Sequence, residues 1–305
     1  MELALMTEPQ IGGSYEQLLA AVRWAEAAGM RSFARSDHYG NADGRSAPTT
    51  DAFVSLGGLA RETDRIRLGI LVSPITFRHP AVIAKSAATI DEMSDGRLDL
   101  GIGTGWQEHE HSAFGLGFPP TGERFDLLEE ALGYVSAAFD GGSFHGERFN
   151  FTGDAEPRPR GVRLMVGGGG PRRTPTLAGR YADEFNHGLA PADEIAPKIA
   201  TMRAAAEEAG RNPEAITVSV MGPVITGADP GAYRSVLEAT ASAVGRPPER
   251  IEERWKAAGL PVGPPDEVRE TIASLERVGV EKLYVQHLDL SDLAPLEAVF
   301  SVLEG

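Results

Sequence analysis

A short β-rich run followed by a longer amphipathic stretch recurs along this chain, and that alternation constrains the fold more than any other feature. Runs at residues 2–6, 32–35, 67–73, 98–103, 163–166, 184–187, 217–221 and 282–287 read as strands. Between them lie helical patterns. The first runs from Ser14 to about Ala28, and its apolar positions Leu18, Leu19, Val22, Trp24 and Ala25 cluster on one face. Others end near Arg61 or cover 81–93, 123 to about 139, and 190–209. Asp95-Gly96 supplies a turn between the third helix and the fourth strand. Eight strands alternating with helices predict an α/β chain folded as a (β/α)8 TIM barrel, with an open doubly wound sheet as the alternative. Residues 141–161, rich in Gly, Pro and aromatics, and a helical stretch at about 231–258 read as insertions. There is no low-complexity linker, so residues 1–305 are expected to form one domain. Barrels of this class often run that long as one unit.

In such a barrel, chemistry collects at the C-terminal ends of the strands. The polar groups expected there are Ser36-Asp37-His38-Tyr39, Ser73-Pro74 leading to Arg78-His79, and Gly103-Thr104-Gly105-Trp106. Asn186-His187 and Gln286-His287 follow the sixth and eighth strands. The fifth strand ends in four glycines, Gly167, Gly168, Gly169 and Gly170, followed by Pro171, Arg172 and Arg173. Glycine lets the backbone turn tightly and approach a ligand closely. A helix opening there offers free N–H groups and a positive dipole end, which suits a phosphate. Pro171 is expected at the first helical position, and the two arginines add forked donors.

The formal net charge of −15 argues against nucleic acid or an anionic membrane as partner. No apolar run approaches the roughly 18 residues of a membrane span. Residues 1–6 read as a strand rather than a signal peptide, and the chain has no cysteine. That excludes disulfides, thiolate metal sites and cysteine nucleophiles, and the expectation is a cytoplasmic protein.

The block from Ile66 to Glu130 resembles the luciferase-like monooxygenase superfamily. The resemblance is carried by Arg67-Leu68-Gly69-Ile70-Leu71-Val72, Arg78-His79-Pro80-Ala81, Ala87-Ala88-Thr89-Ile90-Asp91, Ser94-Asp95-Gly96-Arg97 and Leu100-Gly101-Ile102-Gly103-Thr104-Gly105-Trp106. Pro119-Pro120, Gly122-Glu123-Arg124 and Ser36-Asp37-His38 extend it. The glycine run and Arg180-Tyr181-Ala182-Asp183 look most like the deazaflavin branch, whose members use coenzyme F420. The other branch uses FMN. Both cofactors carry a phosphate on a ribityl chain.

The resemblance implies a ring across the barrel mouth against the third strand, with a non-prolyl cis peptide at Leu71-Val72. It implies Asp37 as a ring-contacting acid and His38 as the catalytic histidine. Histidine titrates near neutral pH and suits proton transfer accompanying hydride movement. Thr104, Gly105 and His109 fall where members touch the cofactor, and Gly167, Gly168, Gly169, Gly170, Arg172 and Arg173 where its phosphate rests. Arg172, Arg173 or Arg78 would offset the anionic cofactor. Sugar-phosphate dehydrogenases of this branch carry a glutamate after Thr-Gly; Trp106 stands here, which implies a bulkier, less polar substrate. Trp106 is expected to wall the substrate pocket or to pack under the following helix, and His187 and His287 to line that pocket or to cap their strands.

His109, Glu110 and His111 raise a metal reading. On a helix, positions i and i+2 lie about 200° apart, so the two imidazoles diverge, and zinc needs a third ligand and an open position; no metal ligand is assigned. The expected activity is F420-dependent hydride transfer to or from a small organic substrate. The alternatives are an FMN-dependent monooxygenase fed by a separate reductase, and a metal-dependent barrel hydrolase. The resemblance also implies a possible homodimer.

Overall fold

The computed structural model describes residues 1–42, 44, 47–153, 156–243 and 246–304. Eight parallel strands, Glu2–Thr7, Ser32–Arg35, Arg67–Pro74, Leu98–Gly103, Arg163–Gly167, Glu184–Gly188, Thr217–Gly222 and Lys282–His287, close into a barrel. The first pairs with the last from Glu2↔Lys282 to Thr7↔His287, which closes the ring and sets aside the open sheet.

Successive side chains of a strand face opposite sides. Ala4 and Met6 meet Ala34, Leu71, Met165 and Tyr284 in one buried cluster. Leu5, Phe33, Leu68, Ile70 and Leu100 join the larger apolar layer shared with the helices. Small residues let the strands crowd. A Cβ at Gly101 would fall 2.1 Å from the Ile70 carbonyl oxygen. That close approach lies beside an irregularity in the third strand, where pairing passes from Ile70↔Leu100 to Ser73↔Ile102. The Leu71-Val72 peptide there is cis, as the resemblance implied.

Local signals set the helix ends. Helix Tyr15–Ala27 opens on a capping box: Gln17 N donates to Ser14 Oγ at 3.2 Å, and Ser14 N to Gln17 Oε1 at 2.9 Å. Asp95, at φ 56°, and Gly96, at φ 85°, make the expected turn after helix Pro80–Ser94. Helix Arg173–Tyr181 begins later than expected. Arg172 is its N-cap with non-helical φ −131° and ψ −64°, so Pro171 precedes the helix instead of opening it.

The first insertion contains an antiparallel hairpin, Phe144–His145 with Asn150–Phe151. Asp91 Oδ2 anchors its return by accepting from Arg160 N at 2.5 Å and Gly161 N at 3.2 Å. The second insertion is two helices, Pro230–Ala243 and Pro248–Ala257. Tyr233, Leu237, Ala241, Ile251 and Val262 form its own apolar cluster. Residues 154–155 and 244–245 of these insertions, and residue 305, lie outside the described residues. No described helix is long and apolar enough to cross a membrane.

The two barrel ends differ. At the N-terminal end, Lys282 Nζ donates to Glu184 Oε2 at 2.7 Å and Arg67 Nε to Asp99 Oδ1 at 2.8 Å. The C-terminal end opens into a cavity.

Candidate active site

The cavity has a volume of about 560 Å³. Leu71 and Val72 line it from the third strand, Gly103, Thr104, Gly105 and Trp106 from the fourth, and Gly167, Gly168 and Gly169 from the fifth. The glycines cannot be exchanged freely. A Cβ at Gly103 would fall 2.7 Å from Val72 Cγ2, one at Gly167 2.8 Å from Val72 Cγ1, and Gly168 has φ +146°. Two strand ends therefore present bare backbone beside the third-strand irregularity. Gly170 turns away: its Cβ would meet Thr174 Oγ1 at 2.7 Å, under the following helix.

His38 lines the cavity from the end of the second strand. Its Nδ1 is 2.8 Å from Glu110 Oε1. Glu110 is buried, and its other oxygen accepts from Tyr39 N at 2.9 Å. An ionised Glu110 makes Nδ1 the donor, which leaves Nε2 without a partner among the described residues. Burial lowers the His38 pKa, but the hydrogen bond and charge of Glu110, with Glu8 and Asp37, outweigh it, so the net shift is upward. Trp106, 66% exposed, stands edge-on to His38 with ring centroids 5.5 Å apart.

Asp37 does not line this cavity. It is 1% exposed; Ser73 Oγ donates to it at 2.7 Å, and Arg78 grips both its oxygens. Arg78 also binds Asp51, and its Nη2 donates to the Tyr39 hydroxyl at 2.8 Å. Asp37, expected to touch the ring, and Arg78, expected to offset the anion, thus bind each other, and neither is among the residues that line the cavity. Arg173 donates to Asp126 at 2.7 Å and lies 3.5 Å from Glu129, on helix Thr121–Asp140. Arg172 stays exposed at the helix N-cap.

His109 is exposed beside Gly44, off the cavity lining, whereas His111 is fully buried. Thr76 Oγ1 lies 2.6 Å from His111 Nε2, and His111 Nδ1 lies 2.8 Å from the Gln107 carbonyl. The two imidazoles thus diverge as helical spacing requires. His187 and His287 do not line the cavity either. His187 Nδ1 donates to the Gly188 carbonyl at 2.5 Å, while Lys198 Nζ lies 2.6 Å from its Nε2. Burial, with the Lys198 charge, lowers the His187 pKa. His287 Nε2 donates to the carbonyls of Asp289 at 2.6 Å and Asp292 at 2.9 Å, fixing a loop.

Sequence reasoning missed the lining residues Glu8 and Gln10 and the supporting role of Glu110, and it named Gln286 only as a polar strand end. Glu110 was visible only as the centre of a His-Glu-His triplet. Gln286 pairs with Glu8 across 278 positions, a contact that only barrel closure creates.

The luciferase-like monooxygenase family model matches residues 1–282. The chain is 35% identical over 200 residues to the F420-dependent glucose-6-phosphate dehydrogenase of Nakamurella multipartita, covering 61% of this chain and 57% of that protein. It is 32% identical over 170 residues to the pyrimidine monooxygenase RutA of Cronobacter turicensis, covering 53% and 45%. The chain therefore spans about half the length of these curated relatives. A solved F420-dependent secondary alcohol dehydrogenase in complex with an F420-acetone adduct shares the fold, with TM-score 0.80 over 99% of this chain and 97% of that one at 18% identity. The match runs from the first strand to the start of the last, and the chain belongs to the luciferase-like monooxygenase family.

Proposed function

We propose that this protein is an F420-dependent oxidoreductase that reduces a polarised double bond of a small organic molecule, or catalyses the reverse. The observation that carries the reading is the glycine-lined wall facing Leu71 and Val72, with His38 held against Glu110 beside it. The donor set fits the cofactor. Backbone at Gly167, Gly168 and Gly169 is bare toward the cavity. The first turn of helix Arg173–Tyr181 has N–H groups with no intrahelical acceptor, and Arg172 is exposed beside them. These groups would hold the phosphate, and Leu71, Val72, Thr104 and Gly105 would hold the ring and its chain. When bound, the deazaflavin supplies a hydride from ring carbon 5.

This chain's residues manage the proton. As a substrate carbon gains the hydride, the π electron pair moves to its neighbouring atom. His38 Nε2–H donates a proton there, and Glu110 stabilises the imidazolium it starts from. Asp37 acts at one remove: with Arg78 it fixes the loop that carries His38. Trp106 supplies an apolar wall for the substrate. The likeness to the pyrimidine monooxygenase RutA supports a second reading, an FMN-dependent monooxygenase served by a separate reductase. The two readings separate when purified protein is titrated with each cofactor and assayed for oxygen consumption.

A further inference from the structure

Among the described lining residues of the mouth there is one carboxylate. Glu8, just beyond the first strand, is 9% exposed and lines the cavity. Among the described lining residues there is no lysine or arginine. Two neutral carboxamides orient the acid instead. Gln286 Nε2 donates to Glu8 Oε1 at 2.8 Å, and Gln10 Nε2 donates to Glu8 Oε2 at 2.6 Å. Gln10 is itself aligned, since its Oε1 accepts from Ser36 Oγ at 2.7 Å. Parts of the first, second and eighth strand ends thus converge to hold one anion in place.

A carboxylate oxygen accepts two hydrogen bonds, so each Glu8 oxygen retains capacity after its amide contact. A charge withdrawn from water is costly unless it is paired or hydrogen-bonded. Two amides meet that need in part; among the described residues no cation forms a direct ion pair with Glu8, and His38 and Arg35 act on it only at longer range. The remaining demand points into the cavity that also receives His38.

We propose that Glu8 is the specificity-determining acid of this chain: it anchors substrates that present an N–H or O–H donor, cationic amines above all, and turns away carboxylates and phosphates. The inference rests on reading this cavity as the substrate site. Gln10 and Gln286 act as positioning residues that hold the carboxylate. The anion of the cofactor does not conflict with it, because the glycine wall lies on the fourth and fifth strands, whereas Glu8 follows the first.

Calorimetric titration with three matched probes, cyclohexylamine, cyclohexanol and cyclohexanecarboxylate, tests it on the full chain with and without F420. Binding of F420 is followed separately by absorbance. The amine is expected to bind at least tenfold more tightly than the carboxylate, with the alcohol between them. Glu8→Gln abolishes that order. Gln286→Ala, which removes one of the two amides that hold the carboxylate, is expected to narrow the order without abolishing it, and an unchanged urea midpoint for Glu8→Gln guards against a folding defect. Equal or tighter binding of the carboxylate overturns the inference, as does an unchanged order in Glu8→Gln. If the order holds while F420 fails to bind, the Glu8 inference stands and the cofactor reading falls. If F420 binds and the order is absent, the Glu8 inference alone falls.

Discussion

His38 owes its proposed chemistry to a residue 72 positions away. Glu110 accepts a hydrogen bond from His38 Nδ1–H, leaves Nε2 for a substrate, and helps raise the pKa against the opposing effect of burial. His38→Ala is expected to lower turnover at least tenfold, in line with the usual weight of general acid catalysis, while a cofactor titration gives unchanged affinity. Because the folded pKa is raised, the acid form persists above the ordinary histidine range. The reductive rate should therefore fall only as pH rises through that raised value. In Glu110→Gln that falling limb should move to lower pH, read from kcat against pH. Stability follows the same sign: the pair's contribution is complete below the unfolded histidine pKa and is lost as pH rises through the folded one. His38 was legible because it follows a strand in a barrel. Glu110 was not, since helix Glu108–Ala113 reaches the second strand's end only in three dimensions. The ion pairs of Arg78 and Arg173 were hidden for the same reason. Sequence shows the charge of Arg78 and Arg173 but not the carboxylates already waiting for them.

At the scale of elements, the glycine run and the third-strand irregularity work as one surface. Gly168→Ala places a side chain at φ +146°, a region that suits glycine, and adds a methyl beside the proposed phosphate position. Its expected effect is at least a tenfold loss of cofactor affinity, measured by spectral titration. Gly101→Ala should act on stability instead. Its Cβ would meet the Ile70 carbonyl oxygen, and relieving such overpacking costs roughly 1–3 kcal/mol. Urea unfolding measures that loss. The barrel strands were legible because four to eight residues carry a clear apolar pattern. The hairpin was not, since strands of two residues have no periodicity to read.

The whole molecule separates its two jobs by barrel end. The N-terminal end is closed by buried ion pairs, and Lys282→Met would leave buried Glu184 with only Arg163, 4.0 Å away, as a cationic partner. Breaking such a pair costs about 3–5 kcal/mol, which denaturant unfolding would register with no change in the shape of the activity profile. The C-terminal end carries the cavity and, on the proposed reading, an anionic cofactor in a chain of net charge −15. Binding must then come from local donors, and that was legible: the alternation of elements predicts which strand ends meet at the mouth. The substrate side was not, because Glu8, Gln10 and Gln286 become neighbours only when the first and last strands pair. The most direct test is a spectral titration of the purified protein with F420 and, separately, with FMN. The account predicts saturable F420 binding that Gly168→Ala weakens, followed by reoxidation of the reduced cofactor by an accepted substrate. Tight FMN binding with no response to F420 would contradict it.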